Sequence, residues 1–288
     1  MTENLSPTPA SPAGHAIAPD IPIAFIGGGN MASAIIGGLI RQGLDATRID
    51  VVEPFEEARQ RLSSEFGVTA QATPGASLGR AAVVVWAVKP QLFREAAAPV
   101  APLTPKALHL SVAAGIQSAS IAGWLGSERI VRAMPNTPAL VGQGMTGLYA
   151  REAVTPQHRD LVEQLLSATG TLAWMENEAQ LDAVTALSGS GPAYVYYFLE
   201  AMAEAGAEMG LPAEQAYRLA LATFSGATAL AAQSFEPASV LRERVTSKGG
   251  TTYAALTSLE QDGVKASFVR AMRAAGQRAQ ELGEEFGR

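Results

Sequence analysis

Three consecutive glycines ahead of a helix are the residues here best placed to do chemistry on a bound nucleotide. In Ile23-Ala-Phe-Ile-Gly27-Gly-Gly29-Asn-Met-Ala32 an apolar run reading as a strand breaks at Gly27-Gly28-Gly29. A helix-like stretch, Met31 to Gln42, follows at once. This is the G-x-G-x-x-A form of the dinucleotide fingerprint. Gly27 permits the tight turn, Gly29 lets backbone approach a pyrophosphate, and Ala32 is small enough for close helix–strand packing. The helix N-terminus adds free N–H groups and a partial positive charge. Ile26, Gly28, Asn30 and Met31 complete the candidate cofactor loop.

Further segments could meet the same ligand. Ala87-Val88-Lys89-Pro90 closes a buried apolar run, and Lys89 is a candidate phosphate contact. Pro90 points instead to a backbone role, a turn lining the cofactor cleft. Val112-Ala113-Ala114-Gly115 ends the next run in small residues that a ribose or nicotinamide can approach. In Met134-Pro-Asn136-Thr137-Pro138 two prolines fix the backbone and are expected to hold Asn136 and Thr137 outward. In the second half, Leu187-Ser-Gly-Ser-Gly-Pro-Ala193 interrupts a helical pattern. Thr246-Ser-Lys-Gly-Gly-Thr-Thr252 is a glycine turn running into a helix, able to cradle a carboxylate on its N–H groups.

Other chemistries are thinly supplied. The sequence has no cysteine, which excludes disulfides, thiolate catalysis and cysteine metal sites. Its three histidines, His15, His109 and His158, fall in a tail, an expected strand and an expected helix start, a poor set of metal ligands. A net charge of −6 and a pI near 5.2 argue against nucleic acid or an anionic membrane as partner.

The elements that must position these residues change character along the chain. The 288 residues allow about two domains at ~150 residues each. From Ile23 to about Trp174 strand and helix patterns alternate. Ile49–Val52, Ala82–Val88, Ala107–Ala113 and Arg129–Ala133 read as strands, with Gly147–Ala150 and Thr171–Trp174 as weaker ones. Glu56–Phe66 reads as a helix, and Thr155-Pro156 as the N-cap and first turn of another. Such alternation implies a mostly parallel sheet with helices on both faces. After about Glu176 the strands stop and helical patterns follow to Phe286. Residues 193–232 are apolar nearly all round, as helices that bury their surface in one another or in a second subunit should be.

The expected plan is therefore α/β: a Rossmann-type N-terminal domain with a parallel sheet at 21–175, then an all-α C-terminal dimerisation domain at 176–288. Residues 1–20, rich in Pro, Ser and Ala, read as a disordered tail without the basic start and apolar core of a secretory signal. No run reaches the ~18 apolar residues that span a bilayer, so a cytoplasmic location is expected.

In order and spacing, Ile23–Ala32, Ala87–Pro90, Ser111–Gly115, Met134–Pro138, Leu187–Tyr194 and Val245–Thr252 resemble the motif series of pyrroline-5-carboxylate reductases. The match runs from about residue 21 to 285, and the pair AVTALSGSGPAY and RVTSKGGTT is highly specific. The resemblance implies NADP(H)-dependent reduction of the imine of 1-pyrroline-5-carboxylate to L-proline, the last step of proline biosynthesis. It implies a homodimer with an active site formed between two subunits, and further assembly into a decamer. It implies that Gly249, Gly250, Thr251 and Thr252 bind the substrate carboxylate and that the Thr252 hydroxyl meets the ring nitrogen. Ser247 and Glu178 are additional candidates near the substrate.

The chain departs from the family at Glu53-Pro54-Phe55, and the family's Asn in the next loop is absent around Thr73-Pro74. Glu53 ends the second strand, 26 residues past Gly27, near where an acid reads the adenosine ribose in NAD enzymes. A carboxylate there repels a 2′-phosphate, so NAD(H) is plausible beside NADP(H). Arg59 and Arg48 are cations able to reach such a phosphate. The nearest rival, a 3-hydroxyacid dehydrogenase of the same plan, needs a helix lysine early in its second domain, and Ala179–Tyr197 contains none. A nucleotide-sensing scaffold without catalysis is the rival from another class, disfavoured by the intact glycine turn and Thr252.

Overall fold

The computed structural model describes residues 21–287; the expected N-terminal tail and His15 lie outside them. Packing divides the described chain into two compact units. One takes the residues up to Pro192 together with those from Ala274 on, and the other is Ala193–Arg273. The sequence boundary near residue 175 is thus displaced by packing: the first helix after the strands packs with the sheet, and the end of the last helix belongs to the sheet-bearing unit.

Eight strands form that unit's sheet: β1 (Ile23–Ile26), β2 (Ile49–Val52), β3 (Ala70–Gln71), β4 (Val83–Trp86), β5 (Leu108–Ser111), β6 (Ile130–Met134), β7 (Gly144–Ala150) and β8 (Gly170–Trp174). Their order is β3-β2-β1-β4-β5-β6-β7-β8, parallel except where β7 runs antiparallel to β6. Alternate residues of each strand face opposite sides. Ile23 and Phe25 join one apolar core with Ile35, Ile36 and Leu39, whereas Ala24 and Ile26 join a second with Trp86, Phe93 and Val100. Burial on both faces explains why these strands read as unbroken apolar runs.

The sheet-bearing unit's helices are α1 (Asn30–Arg41), α2 (Glu56–Phe66), α3 (Phe93–Val100), α4 (Ser118–Leu125), α5 (Pro156–Leu166) and α6 (Gln180–Val184). Thr155 caps α5 in a reciprocal box with His158, its hydroxyl accepting from His158 N at 3.3 Å. At Thr185–Gly189 the chain widens into a π-helical turn and runs on into α7 (Gly191–Glu208). The glycine- and proline-rich interruption is thus absorbed as a bulge between helices.

The remaining helices are α8 (Ala213–Gln233), α9 (Ala238–Arg244), α10 (Thr251–Gln261) and α11 (Val264–Phe286). Inside the helical unit Phe268 packs against Tyr194 and Phe198, with ring centroids 5.5 and 5.7 Å away. Much apolar surface stays uncovered by the chain itself. Tyr197 is 69% and Phe235 85% exposed, and Met209, Leu230 and Tyr217 are exposed too.

Candidate active site

The register of the parallel strands sets out the first half of the site. Ile26 pairs with Val52 and with Trp86, and Trp86 with Ser111, so β1, β2, β4 and β5 end level with one another. Gly27, Glu53, Ala87 and Val112 are the residues immediately beyond those ends. The order reverses between β1 and β4, and the crevice at such a switch point is where open α/β sheets take their ligands.

Each glycine of the loop has a separate reason. Gly27 has φ +96°, and a Cβ there would lie 2.6 Å from the Ala87 carbonyl oxygen and 3.2 Å from Val88. The Ala87-Val88 segment therefore presses on the turn, and only glycine fits. Gly28 is closed in by Leu62 and Glu53. Gly29 is different: it has ordinary extended backbone, φ −74° and ψ −170°, and a Cβ there meets nothing within 4 Å. No side chain caps α1, so exposed Asn30 and its neighbours present their N–H groups unmasked. An open cradle at Gly29 facing an uncapped helix start fits a pyrophosphate.

Lys89 is exposed and its carbonyl accepts from Leu92 N at 3.0 Å, turning the chain at Pro90. Ala113 is buried, Ala114 half-buried, and Gly115 takes φ +73° with Leu282 and Phe286 of α11 packed on it. Thr137 is exposed, but Asn136 corrects the expectation that it points outward. Its Nδ2 donates to the Ser188 carbonyl and hydroxyl, both at 3.2 Å, and its Oδ1 accepts from Met145 N at 2.9 Å. Asn136 thus ties β6–β7 to the π-helical turn.

Glu178 is also engaged. Oε1 accepts from Ser118 N at 2.5 Å and from Arg132 Nη1 at 2.7 Å, and Oε2 from the Ser118 hydroxyl at 2.6 Å. Burial pushes this carboxyl up, but the Ser118 hydrogen bonds and Arg132 outweigh it, and the net direction is down. The carboxylate of Glu178, a candidate near the substrate in the sequence, is thus set on the N-terminus of α4. Asp182 nearby is raised by burial, with Arg132 opposing and Glu178 reinforcing. Arg132 went unnoticed in the sequence, although a lone arginine within an apolar strand was a signal. Its side chain is 9% exposed, which only a paired charge tolerates.

The other candidates lie in the helical unit. Gly249 has φ +75°, Gly250 N donates to the Ser247 carbonyl at 3.0 Å, and Gly250 is the N-cap of α10. A Cβ at Gly250 would lie 2.8 Å from the Ser247 hydroxyl, whereas none meets anything at Gly249. Thr251 and Thr252 are the first two residues of α10, and no side chain caps it. Thr252 is therefore not the helix cap, and the N–H groups of Gly249, Thr251 and Thr252, unlike that of Gly250, are available to an anion. Among the described residues no group of three or more His, Cys, Asp or Glu can hold a metal, and no helix is long and apolar enough to cross a membrane.

Known proteins share this arrangement along the chain. Residues 178–282 match the model of the pyrroline-5-carboxylate reductase dimerisation family, and residues 22–115 that of the coenzyme F420-dependent NADP oxidoreductases. The pyrroline-5-carboxylate reductase of Pseudomonas aeruginosa is 46% identical over 267 residues, covering 92% of this chain and 98% of that protein. The soybean (Glycine max) enzyme is 38% identical over 90% of this chain and 95% of its own. A solved pyrroline-5-carboxylate reductase from Coxiella burnetii superposes with a TM-score of 0.84 at 39% identity, covering 90% of this chain and 97% of that one. The Plasmodium falciparum pyrroline carboxylate reductase, solved with NADP bound, gives 0.83 at 28% identity, over 92% of this chain and 98% of its own.

Proposed function

The chain belongs to the pyrroline-5-carboxylate reductase family, and from that membership we infer its reaction: reduction of the C=N bond of 1-pyrroline-5-carboxylate to L-proline, with NADPH as reductant. The observation that carries the cofactor half is the open cradle at Gly29 before an uncapped helix, at the switch point of the sheet. When bound, the nicotinamide supplies a hydride to the imine carbon.

The chain's own residues bind and orient. The Gly27–Met31 loop takes the pyrophosphate on the N–H groups of Gly29, Asn30 and Met31. The small residues Ala113, Ala114 and Gly115 let the cofactor lie close to the sheet. The Gly249–Thr252 turn holds the substrate carboxylate through the N–H groups of Gly249, Thr251 and Thr252, as the uncapped start of α10 allows. The Thr252 hydroxyl meets the ring nitrogen, whose protonated form is the better hydride acceptor. Fixing the substrate in this way removes much of the entropic barrier, up to about 7–11 kcal/mol in favourable intramolecular cases. Glu178 acts as a positioning residue: it anchors α4 directly after the Ala113–Gln117 loop.

The working form is a dimer whose active sites are shared between subunits. The exposed apolar side chains of α7 and α8 support this, because they fall within the region matched to the dimerisation family. Assembly into a decamer is a further step on the same plan. The deciding assay is NADPH oxidation with 1-pyrroline-5-carboxylate, set against 3-oxoacids and a no-substrate control. Turnover on 3-oxoacids alone would overturn the assignment.

A further inference from the structure

Glu53 stands where an acid would read the ribose, yet it is 6% exposed. Both carboxylate oxygens are taken by backbone. Oε2 accepts from Gly28 N at 2.7 Å and Oε1 from Phe55 N at 2.9 Å. The side chain thus staples the glycine loop after β1 to the β2–α2 turn. A carboxylate engaged at both oxygens and buried presents little of its surface to a ribose, and the two N–H groups offset part of the charge a phosphate would meet.

A cation lies on the same segment. Arg59 of α2 donates from Nη1 to the carbonyl oxygens of Glu53, at 2.9 Å, and Pro54, at 2.7 Å. These two bonds use one nitrogen of a planar, five-donor fork and fix the plane of the group. Nε and Nη2 donate to nothing among the described residues, and no carboxylate there pairs with Arg59. A guanidinium oriented at one nitrogen with its other donors unspent is suited to a phosphate dianion, and loses less freedom on binding than a mobile side chain.

We propose that Arg59 is the ligand for the cofactor's 2′-phosphate, and that Glu53 is a positioning residue that holds the two turns together instead of reading the ribose. The proposal rests on the NADPH reading above and gives it a residue. It also resolves the conflict between an acid at the end of β2 and a phosphorylated cofactor: the acid faces the loop and the arginine takes the phosphate.

The test is calorimetry on the full chain with NADP+, NAD+, 2′,5′-ADP and 5′-AMP. In Arg59→Gln the Kd for NADP+ and 2′,5′-ADP should rise by about 10-fold to 100-fold, while those for NAD+ and 5′-AMP stay within about 2-fold. Arg59→Lys should recover part of the loss. The KM for NADPH should rise with kcat little changed. Glu53→Gln, which sets an amide donor against a backbone N–H, should weaken NADP+ and NAD+ by the same factor. An Arg59→Gln loss shared equally by both cofactors, or absent from both, overturns the phosphate role. Selective loss of NAD+ in Glu53→Gln overturns the positioning role. Wild-type protein that shows the Arg59-dependent preference yet does not reduce 1-pyrroline-5-carboxylate leaves this proposal standing and removes the reaction.

Discussion

The Glu178 carboxylate grips Ser118 twice, through its backbone N–H at 2.5 Å and its hydroxyl at 2.6 Å, while Arg132 holds the same carboxylate from the sheet. Ser118 is the first residue of α4, so an acid 60 residues away serves as that helix's N-terminal cap and opposes its dipole. Glu178→Gln should cost about 1–3 kcal/mol in urea unfolding, allowing for a side chain one quarter exposed. Because α4 continues the Ala113–Gln117 loop, KM for the cofactor should rise as well. An unchanged unfolding midpoint would show that Arg132 and Ser118 find other partners.

Acid should destabilise the protein in two successive windows. His109 is buried in β5 and its Nδ1 accepts from Trp86 Nε1 at 3.2 Å. Burial, reinforced by Arg129, lowers its pKa from 6.5 to about 4. The unfolded chain takes up a proton below 6.5 that the native state refuses until about 4. Stability therefore falls with pH across that window by about 1.4 kcal/mol per unit, or about 3 kcal/mol in all. Glu178, lowered from 4.5, adds its loss only below 4.5. His109→Asn keeps an acceptor for Trp86 and should flatten the slope between pH 6.5 and 4.5, as denaturant titrations at several pH values would record.

Gly29→Val and Gly27→Ala should fail differently. The Cβ of a valine at Gly29 meets no protein atom within 4 Å, so melting temperature should hold while the cradle for the pyrophosphate fills and cofactor binding drops sharply. The alanine is forced into φ +96° and against the Ala87 carbonyl, and should cost at least about 2 kcal/mol of stability. Equal melting temperatures and equal cofactor affinities for the two variants would undo this division.

Thr252→Ala should lower kcat and kcat/KM together, by about 10-fold to 100-fold, as loss of one hydroxyl contact at ~1.5–3 kcal/mol would. Gly250 is the N-cap of α10 and no side chain caps that helix, so stability should hardly move. Cofactor affinity should also hold. Thr252→Ser should restore most of the rate. A lower melting temperature with wild-type kcat would reassign Thr252 to structure.

The protein should be an obligate dimer or a larger assembly of dimers. Light scattering that finds an active monomer at micromolar concentration would refute the shared site.

The sequence read well wherever local chemistry decides the outcome. Glu56–Phe66 and the Thr155 cap appear as expected because an apolar period and a capping box act within a few residues. β3 is two residues long and leaves no periodic trace. The antiparallel turn of β7 against β6 is a choice between distant partners that no local pattern encodes. The glycine loop was legible for the same local reason. What escaped was direction. Glu53 and Asn136 were singled out as cofactor candidates, but spacing carried no sign that each satisfies backbone groups of its own unit. Which way a polar side chain turns depends on partners 25 or 52 residues off, and spacing alone does not reveal them.

The exposed apolar side chains of the helical unit also bear on how the protein lives in a cell. A newly made chain that has met no second copy displays Tyr197, Met209 and Phe235, the kind of surface that chaperones and proteases recognise. In the proposed dimer, pairing competes with that capture, and it is second order in chain concentration. Halving synthesis should therefore reduce the surviving enzyme by more than half, giving a graded promoter a steeper output than its transcript level.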